Sequence, residues 1–157
     1  MKVKLILIGK TKSKFLVEGE AEYFKRLKHY CKFSEQLIND IKNAGRLSKK
    51  ELINKEGIFI LREVKKNDHV ILLDDKGSKL SSVEFSEFLN KKIASCVSEL
   101  VFIIGGAYGV SEEIYQRADA KLSLSKMTFS HQMVRMIFKE QLYRAFTILK
   151  GEKYHHE

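Results

Sequence analysis

A chain of 157 residues with 44% hydrophobic side chains is long enough to bury a core and short enough to form one domain over 1–157. Its two cysteines, Cys31 and Cys96, make no CxxC pair, which argues against a disulfide framework and points to a reducing cytosol. The first apolar run, residues 5–8, is too short for a signal peptide, and no stretch is long and apolar enough for a membrane span.

Taken in order, residues 3–8 predict a buried strand. Residues 15 to about 30 predict a helix, with Leu16, Tyr23, Phe24, Leu27 and Tyr30 near helical spacing. Residues 33–38 predict another strand. The lysine-rich stretch 42–55 stands out as a mobile excursion. Ser48 and Glu51 have capping-box spacing, with Leu52, Ile53, Phe59, Ile60 and Val64 forming a stripe behind them. Residues 70–73 predict a buried strand closed by a turn at Asp74, Asp75, Lys76 and Gly77. Ser81 and Glu84 open a helix with Phe85, Phe88, Leu89 and Ile93 facing inward. Residues 100–104 form the next strand. Ser111 caps a short helix whose first turn carries Glu112 and Glu113, as the helix dipole favours. Residues 121–124 form the last strand. A helix over about 130–149 follows, burying Val134, Ile137, Phe138, Leu142, Ala145, Phe146 and Leu149. Strands alternate with helices throughout, which predicts an α/β domain with a mostly parallel sheet flanked by helices.

The charge is uneven. The net is +9 overall, but residues 1–80 hold 19 Lys and Arg against 11 Asp and Glu, a net of +8. Residues 81–157 hold 10 against 9, a net of +1. A basic half fits a polyanionic partner, nucleic acid first; the plainer reading is charge for solubility.

Two strand-to-helix turns carry unusual residues, and ligands in α/β sheets sit outside the carboxyl ends of the strands. The first turn is IIGGAYG at 103–109. It lacks the Gly-Lys-Ser/Thr of a P-loop and the spacing of a dinucleotide fingerprint. Its glycines either let backbone approach a ligand or simply close a tight turn. The second turn is SKMT at 125–128, with Met127 and Phe129 as apolar flanks. His131 and Arg135, four apart, would share one helix face beyond it. Glu140 and Arg144 have the spacing of a helix-surface ion pair. Neither metal-ligand spacing nor a serine or cysteine nucleophile arrangement is evident. The ending Tyr154, His155, His156, Glu157 is unusual for a terminus and is either chance or a catalytic flap.

In combination these residues resemble the SPOUT-class ribosomal RNA large subunit methyltransferase H family. The resemblance spans the chain: the start MKVKLILIGK, the turn IGGAYG, the segment LSLSKMTFSHQMVR, the helix EQLYRAF and the ending YHHE. One departure is Ser130, where the family usually has proline; a serine can still cap the helix. The resemblance implies a trefoil knot within about residues 70–157, a homodimer, and S-adenosyl-L-methionine as cofactor. It implies methylation of N3 of a pseudouridine in the helix-69 hairpin of 23S rRNA, on assembled ribosomes in the cytoplasm, with no metal and no membrane. Leu73, Gly105, Leu124, Ser125, Lys126, Met127, Thr128 and Phe129 would hold the cofactor. His131, Arg135, Tyr143, Arg144, Tyr154 and His155 would form the pool for acceptor binding and proton handling. Two other readings remain: a SPOUT enzyme acting on another RNA, such as a tRNA ribose, and a ribosome-binding protein without activity.

Overall fold

The computed structural model describes residues 1–95 and 97–156; Cys96 and Glu157 lie outside the described residues. Five strands, β1 (Lys2–Ile8), β2 (Lys32–Ile38), β3 (His69–Lys79), β4 (Leu100–Ile104) and β5 (Ala120–Ser123), form one parallel sheet in the order β2-β1-β4-β3-β5. The helices are α1 (Lys14–Leu27), α2 (Lys49–Arg62), α3 (Ser82–Ala94), α4 (Glu112–Arg117) and α5 (Met133–Leu149).

Side chains alternate across a strand, so β1, β2, β3 and β4 each feed two cores. On β1, Val3, Leu5 and Leu7 pack with Leu27 of α1, Phe85 and Leu89 of α3, and Phe138, Leu142 and Phe146 of α5. Ile6 and Ile8 point the other way, to Ile60 of α2 and Ile114 of α4. Covered on both faces, central β4 is buried at all five residues, as a run of apolar side chains in a parallel sheet requires. No helix among the described residues is long and apolar enough to cross a membrane.

Both capping boxes form. Ser48 Oγ accepts from Glu51 N–H at 3.2 Å while the Glu51 carboxylate accepts from Ser48 N–H at 2.7 Å. Ser81 and Glu84 repeat the arrangement at the start of α3. Ser111 occupies the N-cap of α4, but its side chain makes no capping bond.

The structure corrects five expectations. Helix α1 ends at Leu27, because the chain turns over residues 28–30 to enter β2. Helix α5 starts at Met133, leaving Ser130 and His131 before it. Ser130 still serves the helix start, accepting Met133 N–H on its hydroxyl at 3.1 Å and Val134 N–H on its carbonyl at 3.0 Å. Ile93 does not face inward; it is 40% exposed on the last turn of α3. The stretch 42–55 is no single excursion: a short 3-10 helix at Ala44–Arg46 and the first half of α2 take it up. Finally, residues 74–77 lie within β3. That strand pairs with β5 twice, Leu73 and Ser78 both facing Leu122, with an irregularity between them. Gly77 makes this possible: a Cβ there would lie 2.6 Å from the backbone N and C of Leu122.

Candidate active site

The carboxyl ends of β4 and β5 and the middle of β3 open on a cleft. Leu73, Ile104, Leu122, Leu124 and Val134 give it apolar walls, and Ser125, Met127, Thr128 and Phe129 come from the loop between β5 and α5. The loop is shaped by its own hydroxyls. Ser123 Oγ donates to the Ser125 carbonyl at 2.9 Å, and Ser125 Oγ accepts Met127 N–H at 2.9 Å. Such local side-chain bonds hold serine-rich segments in turns. Met127 is left 77% exposed.

Two carboxylates, Asp74 and Asp75, complete the lining. Burial pushes the Asp74 carboxyl up, but the Tyr115 hydroxyl at 2.5 Å and the Lys76 N–H at 2.9 Å outweigh it and hold the carboxyl below its usual range. Donating to Asp74 in turn pushes Tyr115 up to about 12. An apolar cleft with an ionised carboxylate at one side suits a ligand with a flat apolar part and a positive charge.

Six of the eight expected cofactor residues line this cleft: Leu73, Leu124, Ser125, Met127, Thr128 and Phe129. Gly105 and Lys126 are not on its walls; Lys126 is exposed. Gly105 answers to its own turn: a Cβ there would meet Val110 Cγ1 at 2.6 Å and the Gly109 carbonyl at 2.9 Å. Gly109 sits at φ +91°, a conformation that favours glycine.

The six residues expected to serve the acceptor fall into two groups along α5. At the near end, exposed His131 precedes the helix, so it does not share a helix face with Arg135. Arg135 is 1% exposed. Its guanidinium donates to the carbonyls of Ile8, Gly9 (2.7 Å) and His131 (3.2 Å) and to Thr11 Oγ1 (3.2 Å). Gln132 joins the same tie, accepting Lys12 N–H at 2.9 Å.

The other four gather nine or so residues further along, about 14 Å at helical rise. The Tyr154 hydroxyl donates to Glu140 Oε1 at 3.1 Å and lies 3.3 Å from the Tyr23 hydroxyl. Its ring meets Tyr143 edge-on, centroids 4.8 Å apart, and the Arg144 guanidinium lies 4.6 Å from its centroid. Arg144 is held by Glu140 at 2.5 Å and reaches His155 Nδ1 at 3.4 Å. The tail therefore folds back on its own last helix. Burial pushes the Tyr154 phenol well up, so it stays a hydrogen-bond donor at neutral pH.

Sequence reasoning left three of these residues without a role in a site. Asp74 read as a turn residue, although a carboxylate directly after a buried apolar run is a signal of its own. Glu140 read as half of a surface ion pair. Nothing in the local sequence ties Tyr23 to Tyr154, since the contact spans 131 residues. Among the described residues, no three His, Cys, Asp or Glu gather where they could hold a metal ion.

The family model described as a predicted SPOUT methyltransferase matches residues 1–155. The ribosomal RNA large subunit methyltransferase H of Christiangramia forsetii is 53% identical over 156 residues, covering 99% of each chain. Its counterpart in Flavobacterium johnsoniae is 55% identical over 157 residues, covering all of both chains. In Parabacteroides distasonis the identity is 51% over 157 residues, again covering both chains in full. Among solved structures, a probable methylase family protein from Haemophilus influenzae Rd KW20 has a similar fold, with a TM-score of 0.53 at 14% identity. That match covers 97% of this chain and 67% of the other.

Proposed function

The chain belongs to the SPOUT methyltransferase family, alongside the ribosomal RNA large subunit methyltransferases H, and from that premise we propose that it methylates N3 of a pseudouridine in the helix-69 hairpin of 23S rRNA. The donor is S-adenosyl-L-methionine, and the setting is the assembled ribosome in the cytoplasm. The observation that carries this reading is the cleft at the end of β5 and the middle of β3, apolar on its walls and edged by ionised Asp74.

The lining fits that cofactor. Leu73, Leu122, Leu124 and Val134 suit the flat adenine, and Asp74 and Asp75 suit a ligand bearing sulfonium and ammonium charges. Ser125, Thr128 and the loop backbone supply hydrogen bonds, with Met127 and Phe129 beside them. Gly105 and Lys126 act from outside the walls, Gly105 by shaping the turn that follows β4. When bound, the cofactor supplies an electrophilic methyl group. The same reading carries a knotted thread within about residues 70–157, as the family resemblance implies.

The acceptor N3–H is a weakly acidic imide and a poor nucleophile until its proton leaves. His155, whose Nδ1 lies 3.4 Å from the Arg144 guanidinium, takes that proton. Arg144 then faces the imide anion, with Glu140 and the Tyr154 ring fixing its plane. Tyr154 and Tyr143 offer ring faces to the acceptor base. A positioned base typically contributes 10²–10⁴-fold, and alignment of the reactants contributes further. Exposed His131, two residues past Phe129 of the cleft wall, meets the RNA. Arg135, consumed by backbone carbonyls, acts by holding the β1–α1 loop.

The tail cluster and the cleft lie about 14 Å apart on one helix. A two-fold homodimer with α5 crossing antiparallel to its partner would bring each tail to the other subunit's cleft. Calorimetry with S-adenosylmethionine tests the site. The wild type should bind one donor per subunit, and Thr128→Trp, which fills the cleft from an exposed loop position, should abolish binding without unfolding the chain. Ribosome binding without any donor binding would instead identify a non-enzymatic binder.

A further inference from the structure

Edge strand β2 is flanked by two large grooves away from the cleft. One, of about 650 Å³, lies against α1. Its buried charges are already matched: Lys139 sits between Glu20, at 2.7 Å, and Glu35, and Arg135 is held by carbonyls. The other, of about 660 Å³, runs between β2 and α2. Its walls carry Lys42, Lys55 and Arg62, the side-chain amides of Gln36 and Asn39, and the ring of Phe59.

Three features of this second groove point the same way. Among the described residues, Lys42, Lys55 and Arg62 form no salt bridge, whereas Lys4, Arg26, Arg117 and Arg144 each have a carboxylate partner. Phe59 is 41% exposed, a large ring left open on a polar surface. The Arg62 guanidinium lies over that ring, 5.2 Å from its centroid. A ring and a guanidinium together make a platform for a flat base, and free ammonium groups beside it match phosphates. An acidic peptide offers nothing flat to stack on that ring; Asp40 and Glu63, which share the lining, repel any anion alike and leave phosphates to the side of Lys42 and Lys55. Unpaired RNA is recognised by this combination of stacking, amide hydrogen bonds to base edges and backbone charge.

We propose that the groove between β2 and α2 binds unpaired nucleotides of the RNA substrate. Phe59 and Arg62 stack a base, Gln36 and Asn39 meet its edge, and Lys42 and Lys55 take the phosphates. The inference rests on the RNA methyltransferase reading and adds where, outside the reacting base, the RNA is gripped.

The test uses the full chain and complete ribosomes, with three variants: Phe59→Ala, Phe59→Leu and the double Lys42→Ala/Lys55→Ala. Both Phe59 variants should weaken ribosome affinity by roughly tenfold, leucine included, because bulk without a ring cannot stack. KM for ribosomes should rise by a similar factor while kcat holds. The double variant should lower the slope of log affinity against log salt by about 0.7 to 0.9 per lysine removed. Donor affinity and melting temperature should match the wild type in all three. Variants that bind like a binding-competent wild type overturn the inference alone. A wild type that binds no ribosomes overturns it together with the reading it rests on.

Discussion

Arg135 joins the end of β1 to the start of α5 through bonds to carbonyls 126 and 127 residues away. Its spacing from His131 gives no hint of this, because the partners are distant in sequence; only a buried guanidinium reveals it. Arg135→Lys keeps the charge but replaces a fork by a point donor. Unfolding by urea should show a loss of about 2–3 kcal/mol, since buried bonds from a charged group are hard to replace. Donor affinity should change little. Undiminished stability with lost turnover would instead assign Arg135 to the reaction. His69 carries the pH dependence. Burial, then Lys92, pushes its imidazole down, against the opposing pull of Asp119 at 3.7 Å, and its buried Nε2 has no hydrogen-bond partner among the described residues. A folded value below the unfolded value means that the unfolded chain binds the proton more readily. The stability it contributes is therefore full above the unfolded value, about 6.5, and is lost as pH falls through the folded one. His69→Gln should flatten the fall in melting temperature below about pH 6.5; an unchanged profile would assign the fall to other groups.

At the scale of elements, local chemistry was a reliable guide where the partners are local. Ser48 with Glu51 and Ser81 with Glu84 form the boxes that their spacing predicts, and every predicted strand is present. It failed where a distant element decides. The run Asp74, Asp75, Lys76, Gly77 has the composition of a turn. It continues as strand because Ser78 and Lys79 find Leu122 and Ser123 of β5 to pair with. Gly77 lies backbone-to-backbone on β5, so Gly77→Ala meets atoms that cannot move aside. It should cost several kcal/mol, well above the fraction of a kcal/mol usual at an exposed glycine. Because Leu122 also lines the cleft, donor binding should fall with it. A Gly77→Ala protein with wild-type melting temperature and donor affinity would show that the close crossing is dispensable. The family resemblance named six of the residues that line the cleft. Gly105 stands off the cleft walls, where a Cβ would meet Val110 and the Gly109 carbonyl.

Across the whole molecule, the sequence's uneven charge acquires a location. The excess of cations in residues 1–80 includes Lys42, Lys55 and Arg62, which form no salt bridge among the described residues and line a groove beside one edge of the sheet. The tail cluster and the cleft, far apart on α5, become one site only if two copies combine. A mixed dimer tests this. One subunit lacks residues 154–157 and the other carries Thr128→Trp, so each homodimer should be inactive. If tails act across the interface, the heterodimer regains activity at one site, up to about half that of the wild type. If each tail serves its own subunit, no complete site exists and the heterodimer stays inactive. The central claim, methyl transfer to ribosomal RNA at the cleft, is tested most directly by incubating the protein with labelled S-adenosylmethionine and one of three substrates: free rRNA, isolated large subunits or complete ribosomes. The account predicts label on N3 of a helix-69 pseudouridine, strongest by far with complete ribosomes. No transfer to any of the three, or transfer to a tRNA ribose instead, would contradict it.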